Sequence, residues 1–268
     1  TISLLGPLRS LHSLRFFSAP ALVSRMRSIV HRLPTTIAHF FARDYQGARF
    51  RLFSTSHYAA LAAIGGVNLA LAFARKFLQA SPARQRRMRN SMVTLLLVNE
   101  TAWHLWNWKT GQWTIQRMLP LHLCSLMVFA SSALLLTRNA KLYEYVYFMG
   151  IGGALQGVIT PDLTTYGFPH FRFFQTFIAH GAIITAPIYM TLVEGHRPTT
   201  QSVRRVIVGG NLLMLAVSAV NTVVGSNYFY LARKPDIPTL LDKMGPWPWY
   251  IIPMEIMGYK ATEDTFAQ

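Results

Sequence analysis

Glu100 and His104 stand four residues apart in an apolar stretch, so on a helix they share one face and can pass a proton or hold an ion pair. His122 and Cys124, Gln156 and Thr160, Gln175 and His180, and Asn221 follow in segments otherwise made of Leu, Val, Ile, Phe and Met. Asp162 and His170 fall in the turns between them. Thiol, imidazole and carboxylate side chains are the groups that can act as nucleophiles, acids and bases. Each residue also has a plainer use. Glu100 and His104 can be an intrahelical pair, and His122 can satisfy a carbonyl freed by Pro120. A lone cysteine such as Cys124 packs as a small hydrophobe, and His180 can serve as a helix–helix hydrogen-bonding residue. No two histidines stand four apart, so neither a metal nor another cofactor is expected.

These residues need elements to carry them, and the apolar runs supply the elements. Stretches near the length that spans about 30 Å of hydrocarbon run over Tyr58–Phe77, Met92–Trp108, Met118–Leu136, Tyr143–Thr160, Phe173–Leu192 and Val206–Val224. A seventh, Trp247–Met257, is short and broken by Pro248 and Pro253, and reads as a half-helix. The expected fold is all-α: a polytopic membrane bundle of six spanning helices with a short C-terminal half-helix and a basic N-terminal extension. An ionisable group at membrane depth is costly and faces a cavity or a partner. Five of the six spans carry polar groups, and their faces are expected to converge on one pocket holding Glu100, His122, Cys124, Gln156, Asp162, Gln175, His180 and Asn221. The glycines around Gly150–Gly153 and Gly209–Gly210 follow no strand, so they read as close helix packing rather than a phosphate loop.

Composition excludes an ordinary soluble enzyme. Of 268 residues 51% are hydrophobic and 13% charged, where a soluble domain carries about a quarter charged; mean hydropathy is +0.27. The net charge of +16 points to anionic lipid, and the absence of a zinc or helix-turn-helix pattern argues against nucleic acid. Residues 1–50 form an Arg- and Ser-rich extension with Asp44 as the one acid, the composition of an organellar transit segment or of an arm lying on lipid or a partner. The bundle is placed at 51–258 and a polar tail at 259–268. Arginines in the loop after the first span and the extension on the opposite side give conflicting signs for orientation. A mitochondrial inner membrane is favoured over a bacterial plasma membrane.

Several strings go beyond composition. They are Leu119-Pro120-Leu121-His122-Leu123-Cys124-Ser125, Gly153-Ala154-Leu155-Gln156, Thr160-Pro161-Asp162-Leu163, Phe168-Pro169-His170-Phe171-Arg172-Phe173 and Ile178-Ala179-His180-Gly181. Arg197-Pro198-Thr199, Gly225-Ser226-Asn227-Tyr228, Lys234-Pro235 and Gly245-Pro246-Trp247-Pro248-Trp249-Tyr250 follow. In this order they resemble the YwaF-type integral membrane proteins, a family that includes the vertebrate transmembrane protein 164. The resemblance covers about residues 50 to 258. It implies a bundle of six or seven helices and, from the vertebrate relative, thiol-dependent acyl transfer between phospholipids. It would assign the thiol to Cys124 and the histidine to His180. More distant bundles hydrolyse fatty-acid esters.

Acyl transfer would use Cys124 as nucleophile and His180 as base. On a continuous helix His122 points about 200° away from Cys124, which makes it a structural residue. Gln156, Gln175 or Asn221 could donate to the oxyanion, Asp162 could orient a partner, and His170 and Arg172 are expected at the phosphate headgroup. A second reading is non-catalytic. The chain would be an accessory subunit of a mitochondrial inner-membrane complex, such as ATP synthase or a respiratory complex. It would bind cardiolipin and neighbouring subunits through residues 1–50.

Overall fold

The computed structural model describes residues 37–163, 165–234, 243–246 and 249. Contacts divide the chain into two units, Thr1–Ala42 and Arg43–Gln268. Most of the 1–50 extension, the half-helix expected at Trp247–Met257 and the 259–268 tail lie outside the described residues. Residues 43–50, grouped with the extension by composition, belong to the second unit: Gly167 N–H donates to Ala48 O at 3.1 Å and Tyr166 Oη donates to Arg43 O at 3.0 Å.

The described residues of this second unit form an all-helical bundle. The helices are α1 (Thr55–Gln79), α2 (Pro82–Lys109), α3 (Leu123–Thr137), α4 (Ala140–Tyr145), α5 (Ile151–Ile159), α6 (Phe171–Leu192) and α7 (Thr200–Val224). A π-helical turn, Val146–Gly150, joins α4 to α5. Local sequence sets the boundaries. Ser54 caps α1, and Pro82 opens α2 at the position where its missing N–H costs nothing. Asn139 Oδ1 accepts from Lys141 and Leu142 N–H at the start of α4. Thr199 and Ser202 form a capping box on α7, which ends at Gly225 with φ +69°.

Among the described residues three helices, α1, α6 and α7, are long and apolar enough to cross a membrane. The other three expected spans differ for separate reasons. In α2 the first turns carry Arg84, Arg86, Arg87 and Arg89 ahead of the apolar run. The third begins at Leu123 rather than Met118, because Leu119–His122 turns around Pro120, with Leu121 N–H on Leu119 O at 2.7 Å. The fourth is divided by the π turn, where one extra residue interrupts the α-helical ladder.

Helix α6 is the axis. Its most apolar window is 78% buried, against 11% in α1 and 22% in α7, and it contacts α1, α2, α3 and α5. The core around it includes Leu96, Leu134, Ile183, Tyr189 and Met190. The outer helices expose large apolar side chains, among them Phe73, Leu212, Leu215 and Val223. A surface of that kind is satisfied by lipid, not by water. Fully buried His57 ties α1 to α5: its Nδ1 accepts from Phe53 N–H at 2.9 Å while Nε2 donates to Val158 O at 2.8 Å. At the opposite end Glu194 binds Arg89 and lies 3.9 Å from Arg138, and Glu144 takes two hydrogen bonds from Arg205, joining α4 to α7.

Candidate functional site

One cavity of about 780 Å³ sits among the ends of α2, α3, α5 and α6 and the loops at 112–119 and 225–234. Eight of the ten residues singled out from sequence line it: Glu100, His122, Cys124, Gln156, Asp162, Arg172, Gln175 and His180. The other two stand elsewhere. His170 is fully buried as the cap of α6, its Nδ1 accepting from Arg172 N–H at 3.1 Å and its ring stacked on Tyr166. That position corrects the expectation of a headgroup contact for His170, since no part of the ring reaches a surface. Asn221 is also buried. Its Oδ1 accepts from Ser226 Oγ at 2.7 Å and Tyr228 N–H at 2.8 Å, and its Nδ2 donates to Tyr228 O at 3.0 Å. It fastens the loop after α7 and does not line the cavity. Both residues were misread for one reason. A polar side chain in an apolar segment can be satisfied by nearby backbone as readily as by a cavity.

Cys124 is the second residue of α3, in its first turn. His122 is the N-cap and not a helical residue, so the 200° separation expected between the two does not apply, and both face the same cavity. His122 gives no side-chain hydrogen bond to the first turn of α3, and Leu126 N–H is the one that returns to His122 O, at 2.9 Å. The opening N–H groups around Cys124 therefore carry the positive end of the helix into the cavity without a side-chain cap. The turn at Pro120 that shortens α3 produces this arrangement.

His180 lies in the middle of α6. Its Nδ1 is 2.7 Å from Thr176 O, and a carbonyl can only accept, so Nδ1 carries the proton and Nε2 keeps a lone pair. The ring fits because residue 157 is glycine: a Cβ there would collide with Cδ2 and Nε2 of His180. Four residues earlier on the same face, a Cβ at Gly153 would meet the side chain of Leu123, next to Cys124. The glycine face of α5 thus packs against both the helix carrying the thiol and the imidazole. Close packing, expected for Gly150–Gly153, holds at Gly153; Gly152 has open space around it.

Charged groups surround the pair. Glu100 is buried, its Oε1 without a hydrogen bond although His104 Nε2 lies 3.5 Å away. Trp113 Nε1–H donates to His104 Nδ1 at 3.1 Å, which leaves the histidine proton on Nε2, toward Glu100. The intrahelical pairing weighed from sequence is therefore present, on the cavity wall. Arg172 donates to Gln175 Oε1 and lays its guanidinium 3.7 Å over the Trp103 ring. Among the described residues no group of three or more potential metal ligands occurs.

Sequence reasoning missed Gly157, Trp103, Arg117, Arg233 and Tyr228. Tyr228 Oη donates to Ile115 O at 2.5 Å and accepts from Leu119 N–H at 2.9 Å, locking the two loops at the cavity mouth together. Burial pushes its phenol up from the usual value, which keeps it a donor. Only the position of Tyr228 in the Gly-Ser-Asn-Tyr string marked it beforehand.

No curated protein and no solved structure matches this chain. The family model for the TMEM164 family matches residues 52–260, the whole of the helical bundle described above, and the chain belongs to that family.

Proposed function

We propose that this membrane protein transfers acyl chains between phospholipids, with Cys124 as nucleophile and His180 as base. The observation that carries the reading is the shared cavity. A thiol in an uncapped helical turn and an imidazole with its basic nitrogen free line one space, and the chain supplies glycines where a Cβ would strike the His180 ring and the Leu123 side chain. The volume, about 780 Å³, falls in the range of cavities that hold a drug-sized ligand. A phospholipid would leave part of its tails against the exposed apolar faces.

In the first half-reaction the Cys124 proton passes to His180 Nε2 and Sγ attacks the ester carbonyl. The oxyanion is met by the first-turn N–H groups of α3, with Gln156 on the facing helix end. The C–O bond breaks, His180 returns the proton to the departing lysophospholipid oxygen, and the acyl group rests on Sγ as a thioester. In the second, a lysophospholipid hydroxyl gives its proton to Nε2 and attacks the thioester carbonyl. The S–C bond breaks, and Sγ recovers the proton. Nδ1–H stays on Thr176 O throughout and steadies the imidazolium. Hydrolysis would follow the same path with water as acceptor.

The test is transfer of a radiolabelled acyl chain from phospholipid to lysophospholipid by the purified chain. Cys124→Ser and His180→Gln are each expected to lower the rate by about 10³-fold or more, and only the wild type forms a hydroxylamine-sensitive acyl adduct. Full transfer by Cys124→Ser would overturn the covalent route. A second reading draws on the Arg-rich composition of residues 1–50. It makes the chain an accessory subunit of a mitochondrial inner-membrane complex, held through those residues and through cardiolipin. Purification of the native chain would then bring a stoichiometric assembly with it.

A further inference from the structure

The cavity is lined by four basic residues, Arg117, Arg172, Arg233 and Lys234, against two acids, Glu100 and Asp162. Among the described residues the ion pairs join Arg89, Arg138 and Arg205 to carboxylates, while the neutral His104 ring turns its Nε2 toward Glu100. None of them involves Arg117, Arg172 or Arg233. Arg172 donates to Gln175 and stacks on the Trp103 ring, and it lies in the field of both cavity acids, Asp162 and Glu100, so the uncompensated cations are those at the mouth, Arg117 and Arg233. Cations gathered on one partly enclosed surface repel each other, and the low-dielectric wall strengthens the field they project into it. An anion entering from the membrane surface relieves that repulsion.

The loops that carry the charges at the mouth are braced through their backbones. Asn227 Oδ1 accepts from Ala232 N–H at 3.1 Å and Arg233 N–H at 3.0 Å, and its Nδ2 donates to Arg233 O at 2.9 Å. Arg233 is therefore fastened at both backbone groups. Arg117 closes a turn on Thr114 O at 3.1 Å, and Gln116 beside it reaches Val224 O at 3.4 Å. With Tyr228 bridging Ile115 and Leu119, the loop bearing Arg117 is tied to the loop bearing Arg233. Arginines on braced loops bind phosphate at a smaller ordering cost than arginines on flexible loops, since the side chain alone has to order.

We infer that the mouth selects phospholipids whose headgroup is a net anion, taking the phosphodiester between Arg117 and Arg233, with Arg172 as the inner cation. This names the substrate class for the phospholipid reading above and rests on it. The measurement, however, is of binding and needs no turnover. Purified full-length chain in detergent is offered equimolar palmitoyl-oleoyl phosphatidylglycerol and phosphatidylcholine, and retained lipid is read by native mass spectrometry. Phosphatidylglycerol is expected to be retained about tenfold over phosphatidylcholine, and the ratio falls as salt is raised from about 0.05 to about 0.5 M. The double variant Arg117→Gln/Arg233→Gln brings the ratio near one, while Arg117→Lys/Arg233→Lys keeps a preference. Cys124→Ser retains the wild-type ratio, so loss of the covalent route and loss of this selectivity are read separately. Equal retention of the two lipids by the wild type overturns the inference. So does displacement of phosphatidylglycerol by sn-glycerol 3-phosphate as effective as that by lysophosphatidylglycerol, because the ligand would then be a free phosphate ester.

Discussion

A Cβ on Gly157 would occupy the space that the Cδ2 and Nε2 edge of His180 fills, so a methyl group at this position moves the imidazole without changing its chemistry. Gly157→Ala is expected to lower acyl-transfer kcat by about 100-fold, the scale of a misplacement near 1 Å. Gly152→Ala, where nothing lies within 4 Å, is expected to leave the rate unchanged. Steady-state kinetics on the two variants decide this, with circular dichroism as the control for folding. At this scale the sequence told part of the story. Glu100, Cys124, Gln156, Gln175 and His180 were visible because a polar atom in a lipid-facing stretch needs a reason to be there. His170 and Asn221 carry the same signal yet spend polar atoms on nearby loop and helix-cap groups, and spacing alone does not distinguish the two uses. Gly157 and Arg233 gave no signal, since what matters is the ring or the loop beside them.

Elements were legible where periodicity alone decides them and obscured where a turn intrudes. The apolar runs of α1, α6 and α7 were each placed within a few residues at the C-terminal end. The start of α3 was placed five residues early, because Pro120 and its neighbours are as apolar as the helix they precede. The π turn at Val146–Gly150 was invisible for the same reason. His57 shows what holds these pieces in register. Replacing it with Phe keeps the ring but leaves Phe53 N–H and Val158 O without their partner. His57→Phe is expected to cost about 2–4 kcal/mol, read as a fall in the detergent melting temperature. Tyr228→Phe loses the bonds to Ile115 O and Leu119 N–H. It is expected to cost about 1–3 kcal/mol and to raise proton exchange at the amides of both mouth loops.

For the whole molecule, the contrast between a sheathed α6 and the exposed α1 and α7 separates two kinds of position that hydropathy treats alike. Leu215, in the middle of α7, is 68% exposed. Leu215→Arg is expected to cost about 3 kcal/mol of insertion free energy and to reduce the alkali-resistant membrane fraction, while Leu215→Ala leaves it unchanged. Ile183→Ala, in the sheath, is expected to spare membrane retention and to lower stability by about 2–5 kcal/mol. The architecture of layers was thus readable from apolar content, whereas the identity of the central helix was not, because burial against protein and burial against lipid select the same side chains.

The short third helix has a consequence for access to the sulfur. Fifteen residues rise only about 22 Å, against a hydrocarbon slab of about 30 Å. Helix α3 is too short to cross the slab by itself, and Val128, Leu134 and Leu135 are covered by protein rather than left to lipid. In the proposed acyl transfer an ester would therefore have to come to Cys124 through the cavity and not along the flank of α3.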